Sequence, residues 1–124
     1  MTTVTLFRPV GDKELELVAD SGWRSFPPRL PEQPIFYPVM TFDYAEQIAK
    51  NWNSQPRWGG VGHVLSFDVP ASATARWPVQ IAGGQAHEEL WVPSEELDAF
   101  NEMIVGPIRH IATYRDGARD EEAQ

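Results

Sequence analysis

Residue types that could act together on one substrate occur at three separated places in the chain. Arg8 follows an apolar segment, Tyr37 ends a short aromatic segment, and Glu88 and Glu89 open a third apolar segment. A guanidinium binds anionic groups such as phosphates by charge-assisted hydrogen bonds, and an aromatic ring stacks on planar groups. A carboxylate accepts a hydroxyl proton and stabilises a developing cation. Each also has a plain structural interpretation: a surface arginine, a core tyrosine and a solvated pair of glutamates.

The sequence favours other chemistries less. The three histidines, His63, His87 and His110, lie far apart and lack the spacing of a metalloprotease motif, so we expect surface or half-buried histidines and no metal site. No serine lies in a nucleophile-elbow motif, and neither glycine pair forms a phosphate-binding loop. The chain has no cysteine, which excludes a thiol nucleophile and disulfides.

Short elements must position these residues, because eleven prolines and nine glycines interrupt the chain. Apolar and β-branched patterns predict strands over residues 3–7, 23–26, 35–37, 61–69, 76–81, 88–92 and 107–114. Helices are predicted after Asp12, over residues 43–52 and after Ser94. The proline-rich residues 27–34 predict an irregular loop, and Gly83-Gly84 predicts a turn. This order of elements favours an α+β fold around a mainly antiparallel sheet.

The helix over residues 43–52 has the clearest pattern. Asp43 and Glu46 have the spacing of a capping box. One apolar stripe, which we expect to face the core, follows at helical spacing: Ala45, Ile48, Ala49 and Trp52.

Length and charge restrict the broad class. A chain of 124 residues with 42% hydrophobic residues predicts one domain over residues 1–114, followed by an acidic, disordered tail over residues 115–124. The net charge of −8 and the pI near 4.7 argue against nucleic acid as a partner. No apolar run approaches the roughly 20 residues of a membrane span, and the N-terminus lacks a signal-peptide pattern. We therefore expect a cytoplasmic protein with no membrane association.

Several local motifs resemble those of one protein family. They are residues 26–31 (FPPRLP), residues 35–38 (IFYP), residues 90–93 (LWVP) and Phe100-Asn101. Together they make residues 6–111 similar to small bacterial proteins grouped under the name ADP-ribosylation/J-crystallin. The chain order of arginine, aromatic residue and strand-borne glutamate also resembles that of ADP-ribosyltransferases. Local stretches match these transferases too: Phe7-Arg8, residues 35–37 followed by Tyr44-Ala45, and residues 89–92 (ELWV). The resemblance implies a split of two small, mainly antiparallel sheets with few flanking helices.

The resemblance also implies a site and a substrate. It implies NAD as substrate, no metal, Arg8 as the dinucleotide anchor, Tyr37 as the ring platform and Glu89 as the catalytic carboxylate, with Glu88 as the alternative. The acceptor of ADP-ribose stays open, because His87 stands where arginine-modifying enzymes carry Glu or Gln. Two alternatives also stay open. One is a noncatalytic module of the same fold that binds a nucleotide or a protein, and the other is a structural or interaction protein that uses exposed tryptophans.

Overall fold

The protein is described by a computed structural model over residues 2–28, 34–54, 60–81, 88–115 and 118–119. It has an α+β architecture of small antiparallel sheets and few, short helices. Its strands are β1 (Thr3–Val10), β2 (Ile35–Phe36), β3 (Val61–Pro70), β4 (Val79–Ile81), β5 (Glu88–Leu90), β6 (Val92–Pro93), β7 (Val105–Arg115) and β8 (Ala118–Arg119). Its helices are α1 (Asp12–Asp20), α2 (Phe42–Ile48), α3 (Ala73–Arg76) and α4 (Leu97–Glu102). A π-helical segment, Ala49–Asn53, follows α2, and a 3-10 turn, Ser94–Glu96, precedes α4.

The largest sheet has the strand order β1-β3-β7-β8, and the two long pairings in it are antiparallel. β3 is its centre, since β1 pairs along one edge of β3 and β7 along the other. The β1–β3 register is regular and places Arg8 opposite Leu65. The β3–β7 register shifts twice, between Val64 and Leu65 and between Ser66 and Asp68. Such shifts increase the local twist of a strand pair.

A second ladder joins this sheet at the free edge of β1. Phe36 pairs with Val92, and Val39 bridges to Glu89 in the same antiparallel register. Residues 35–40 and 88–93 therefore form one interrupted ladder. Val39 also bridges to Phe7 of β1, through backbone hydrogen bonds of 2.8 and 2.9 Å. On the edge that faces away from Val39, β5 pairs with β4. The hydrogen-bonded ladder therefore extends from β4 through β5, the segment at Val39 and β1 to β8.

Apolar residues fill both faces of this sheet. The larger core packs under α1 and α4 and contains an aromatic group: Phe26, Phe36, Phe67, Trp77 and Phe100. The smaller core packs under α2 and contains Val39, Ala45, Ala49, Val64, Ala112 and Tyr114. Neighbouring residues in a strand face opposite sides, which is why Val64 and Leu65 belong to different cores.

The second helix differs from its sequence pattern at both ends. α2 begins after Thr41, whose hydroxyl accepts a hydrogen bond from the Tyr44 backbone N–H at 3.2 Å, so the predicted Asp43–Glu46 box is not the cap. Ala45 and Ala49 are fully buried as predicted, whereas Ile48 is half-buried. The helix changes to π-helical geometry at Ala49, and the side chain of Trp52, the last residue of the predicted stripe, lies outside the described part of the structure.

Other predicted elements also shift. The predicted strand over residues 23–26 is absent, because Trp23 has a φ of +63° and follows Gly22, whose φ is +79°. Residues 73–76 form helix α3, and the predicted strand there is shortened to β4. The predicted tail begins inside β7, since Arg115 pairs with Ala118 of β8. The turn predicted at Gly83-Gly84 and residues 29–33 of the predicted loop lie outside the described residues.

Within the part of the chain that the structure describes, every helix is too short or too polar to cross a bilayer.

Candidate functional site

Glu89 lies at the seam where the second ladder joins β1. The bridges Phe7–Val39 and Val39–Glu89 place these three residues side by side across the sheet. Directly paired residues in antiparallel strands face the same side, so Glu89 shares the α2 face of the sheet with Phe7 and Val39. Glu89 is only 7% exposed, which is low for a carboxylate.

Two hydrogen-bond donors hold the Glu89 carboxylate. The Tyr44 hydroxyl of α2 donates to Oε1 at 2.8 Å, and the Trp91 indole N–H donates to Oε2 at 2.7 Å. Burial, followed by the hydrogen bond to Glu89 and the negative charge of Glu89, raises the pKa of Tyr44 to about 12. Tyr44 therefore stays a neutral donor at physiological pH, and it fixes the position of Oε1.

Tyr37 is linked to this carboxylate through Trp91, which contacts both residues. The ladder register places Tyr37 across from Trp91, and their rings meet edge to face with centroids 6.2 Å apart and an interplanar angle of 90°. Tyr37 is 39% exposed and Trp91 is 46% exposed. Alternation along the strand puts Trp91 on the same side as Glu89, two residues earlier. The structure thus brings Tyr37 and Glu89 to one aromatic-lined surface, which we call the Glu89 face.

Arg8 lies on the opposite side of the sheet. Alternation in β1 turns Arg8 away from Phe7, toward α1. Its guanidinium forms a two-point ion pair with Glu14 of α1, at 2.9 and 3.0 Å, and its central carbon lies 4.8 Å from the ring centroid of Phe36. Arg8 is 8% exposed. The structure therefore does not bring Arg8 together with Tyr37 and Glu89.

Glu88 differs from Glu89 in both exposure and direction. Its side chain is half-buried, and alternation turns it to the other side of β5. Its backbone carbonyl accepts a hydrogen bond from the Met40 N–H at 2.9 Å, which helps to hold the second ladder. Of the two adjacent glutamates, Glu89 is the one that contacts the aromatic residues.

The sequence did not identify two residues of the Glu89 face as functional. Trp91 carries a usable signal, because a residue two positions after a strand glutamate faces the same side. Tyr44 carries none of this kind, since its contact with Glu89 depends on how α2 docks on the sheet, 45 residues away in the chain.

A separate open groove of about 590 Å³ lies between α1 and α4. Its lining is rich in acidic and serine side chains and includes Asp20, Ser25, Asp98 and Glu102. Its lining includes none of Arg8, Tyr37, Glu88 and Glu89, so it does not extend the predicted site.

Two of the histidines meet, although 47 positions separate them in the chain. His63 Nδ1 lies 3.1 Å from His110 Nε2, and both nitrogens lie within 3.1 Å of the Thr113 hydroxyl. His63 is 5% exposed, and its Nε2 bonds to Asp12 at 2.6 Å. Partial burial and the nearby His63 lower the pKa of His110. His87 lies outside the described residues.

Comparisons with protein-family models, with curated proteins and with solved structures found no match for this chain. The resemblance to ADP-ribosyltransferases therefore stays a prediction that rests on the motifs that carry it.

Proposed function

We propose that this chain binds NAD on the Glu89 face and has an ADP-ribosyltransferase-like fold, in which the seam at Val39 corresponds to the split between two small sheets. The observation that carries the proposal is the environment of Glu89. A carboxylate is held by two donors, Tyr44 and Trp91, directly beside an exposed aromatic pair. An aromatic surface with one fixed carboxylate suits a ligand that has a planar ring attached to a ribose.

The proposed reaction needs this combination of groups. The bond between nicotinamide and ribose breaks, nicotinamide leaves with the bonding electrons, and positive charge develops on the ribose. An acceptor nucleophile then forms a bond to the same ribose carbon and loses its proton. A carboxylate that faces the ribose stabilises the charge that develops in the transition state more than it stabilises the bound substrate. Glu89 has this role in the proposal, and the ring of Tyr37 positions the nicotinamide.

Two features of the geometry shape the proposal. Both Glu89 oxygens already accept hydrogen bonds, so a ribose hydroxyl would take a further acceptor position or replace the indole of the half-exposed Trp91. Arg8 is paired with Glu14 on the other side of the sheet, so the phosphates would need a partner other than Arg8. The proposal thus assigns NAD recognition to the aromatic pair and the catalytic role to Glu89, with transfer of ADP-ribose to an acceptor such as a protein.

The same features favour a second candidate function. A carboxylate that is buried and bonded at both oxygens is also typical of a structural link between a helix and a sheet. In that case the exposed pair Tyr37 and Trp91 would bind a nucleotide or a protein partner without catalysis. The two candidates differ in turnover and not in the surface that they use.

The variant Glu89→Gln separates the two candidates. Glutamine keeps the size of the side chain but removes the negative charge that stabilises a ribosyl cation. We expect Glu89→Gln to abolish nicotinamide release from NAD while the Kd for NAD, measured by calorimetry, changes little. The matched control is Glu88→Gln, which makes the same chemical change one residue away on the other side of β5.

Each outcome of this experiment is informative. Loss of nicotinamide release in Glu89→Gln but not in Glu88→Gln supports the transferase. NAD binding without turnover in the wild type supports the noncatalytic module. If the wild type neither binds nor cleaves NAD at millimolar concentration, the NAD proposal fails. Loss of turnover in Glu88→Gln alone would show that Glu88, on the other side of β5, is the catalytic carboxylate.

A further inference from the structure

The cluster of His63, His110, Thr113 and Asp12 lies apart from the Glu89 face. His63 is on β3, and it pairs with Val10 of β1 and with Thr113 of β7. Asp12 is the first residue of α1, directly after the end of β1. The members of the cluster therefore come from two strands, β3 and β7, and from helix α1, and the proposed NAD site does not use them.

Three potential ligand atoms of the cluster lie close together. His63 Nδ1, His110 Nε2 and Thr113 Oγ1 form a nearly equilateral triangle with sides of 3.1, 3.1 and 3.0 Å. Two Zn–N bonds of about 2.05 Å that end on atoms 3.1 Å apart enclose an angle of about 98°. This value lies between the octahedral and the tetrahedral angle, so the two imidazoles already have the spacing of neighbouring ligands.

Asp12 orients the His63 ring so that Nδ1 is available as a ligand atom. Its carboxylate accepts the hydrogen bond from the His63 Nε2–H, so the proton of the neutral ring is on Nε2 and the lone pair is on Nδ1. Nδ1 is the nitrogen that faces His110 and Thr113. A metal-binding histidine characteristically donates its other N–H to a carboxylate, which orients the ring and makes the ligand more basic.

We propose that His63 Nδ1 and His110 Nε2 bind one divalent transition-metal ion of the class that imidazole prefers, such as Zn²⁺. Thr113 Oγ1 is the third, weaker ligand, and water fills the remaining positions. Asp12 is a positioning residue, because it acts through His63. Within the described residues no three His, Cys, Asp or Glu side chains converge as a metal-binding group, so this site has two strong protein ligands and an open coordination sphere.

Metal binding requires little rearrangement of the cluster. Without metal, His63 Nδ1, His110 Nε2 and Thr113 Oγ1 all have hydrogen-bond partners within the cluster when His110 carries its proton on Nε2. For metal binding this proton only has to move to the other nitrogen of the same ring. His110 is exposed at the surface while His63 is buried, so an ion can reach the site from the side of His110.

The test is a titration of the full chain with ZnCl₂, followed by calorimetry and by the melting temperature. We expect saturable binding of one ion per chain, and a melting temperature that rises with metal concentration, because only the folded state has the site. His110→Gln should abolish saturable binding without unfolding the protein, since this side chain is exposed. His87→Gln is the matched control, because His87 is the third histidine of the chain, and it should bind like the wild type.

Asp12 gives a second, independent readout. The Asp12 side chain is 60% exposed, so Asp12→Ala should fold. It should weaken Zn²⁺ binding by about 10–100-fold through the loss of the carboxylate behind His63. Asp20→Ala, at the other end of α1, is its matched control and should leave the affinity unchanged. The proposal is overturned if the wild type shows no saturable binding up to about 1 mM Zn²⁺, or if His110→Gln binds as tightly as the wild type.

Discussion

At the scale of single residues, the burial of Tyr44 and its hydrogen bond to Glu89 make stability depend on pH. The pKa of Tyr44 is raised from 10.0 to about 12 in the folded protein, so the folded state holds this proton more tightly than the unfolded chain does. The contribution of the protonated Tyr44 to the free energy of unfolding is complete below pH 10 and is lost as the pH rises toward 12. We expect the free energy of unfolding to fall more steeply between pH 10 and 12 in the wild type than in Tyr44→Phe. Denaturant unfolding at several pH values measures this difference.

Glu89→Gln is the control for this prediction. It removes the charge that contributes to the raised pKa of Tyr44 and keeps the tyrosine. The absorbance titration of the phenols should then show Tyr44 ionising at lower pH than in the wild type. Equal slopes for the wild type and Tyr44→Phe above pH 10 would contradict the coupling.

The residue pairs of this molecule also show how far the sequence predicts a site. Strand alternation in the sequence separates Glu88 from Glu89, because period-two geometry is local, and in the structure only Glu89 is buried. The partners of Glu89 and His63 are not local: Tyr44 and His110 lie 45 and 47 positions away. Such contacts depend on helix docking and strand register, which no short pattern contains. The sequence therefore predicts candidate residues more readily than their partners.

At the scale of elements, the ion pair between Arg8 and Glu14 links β1 to α1. It is two-pronged, and the side chains are only 10% and 19% exposed, so each charge depends on the other. We expect Arg8→Met and Glu14→Gln each to lower the free energy of unfolding, with a coupling of about 1–3 kcal/mol in the double-mutant cycle. Denaturant unfolding of the four proteins measures this coupling.

The Arg8 variant also separates two interpretations of this residue. If Arg8 is the structural link that its position on the α1 side indicates, Arg8→Met lowers the melting temperature and leaves the Kd for NAD unchanged. If Arg8 is the dinucleotide anchor that the family resemblance implies, the same variant weakens NAD binding strongly. A weakened Kd at an unchanged melting temperature would contradict the structural assignment.

Element types were more predictable than element ends. The strand over residues 61–69 is correct because alternation along β3 is strong, and it extends only to Pro70. The helix over residues 43–52 is correct in type, but its cap is Thr41 and its last turns are π-helical. Ala45 and Ala49 nevertheless reach the core beside Tyr114, as the apolar stripe predicts.

At the scale of the whole molecule, the predicted α+β class agrees with the structure, whereas an order of strands such as β1-β3-β7-β8 could not be derived from local patterns. The long crossovers between neighbouring strands pass through helices, and their routes depend on which apolar faces pack together. Only the folded arrangement shows that one sheet has a core on each face. The strand β3 contributes to both of them.

Two cores that share one sheet should unfold together. Leu65 and Val64 are neighbours in β3, both are fully buried, and they belong to the larger and the smaller core respectively. We expect Leu65→Ala to lower the free energy of unfolding by about 2–5 kcal/mol and Val64→Ala by a smaller amount, because less apolar volume is removed. Both variants should keep a single transition, with near-UV and far-UV circular dichroism curves that coincide. Separate transitions in Val64→Ala would instead show that the core under α2 unfolds independently of the sheet.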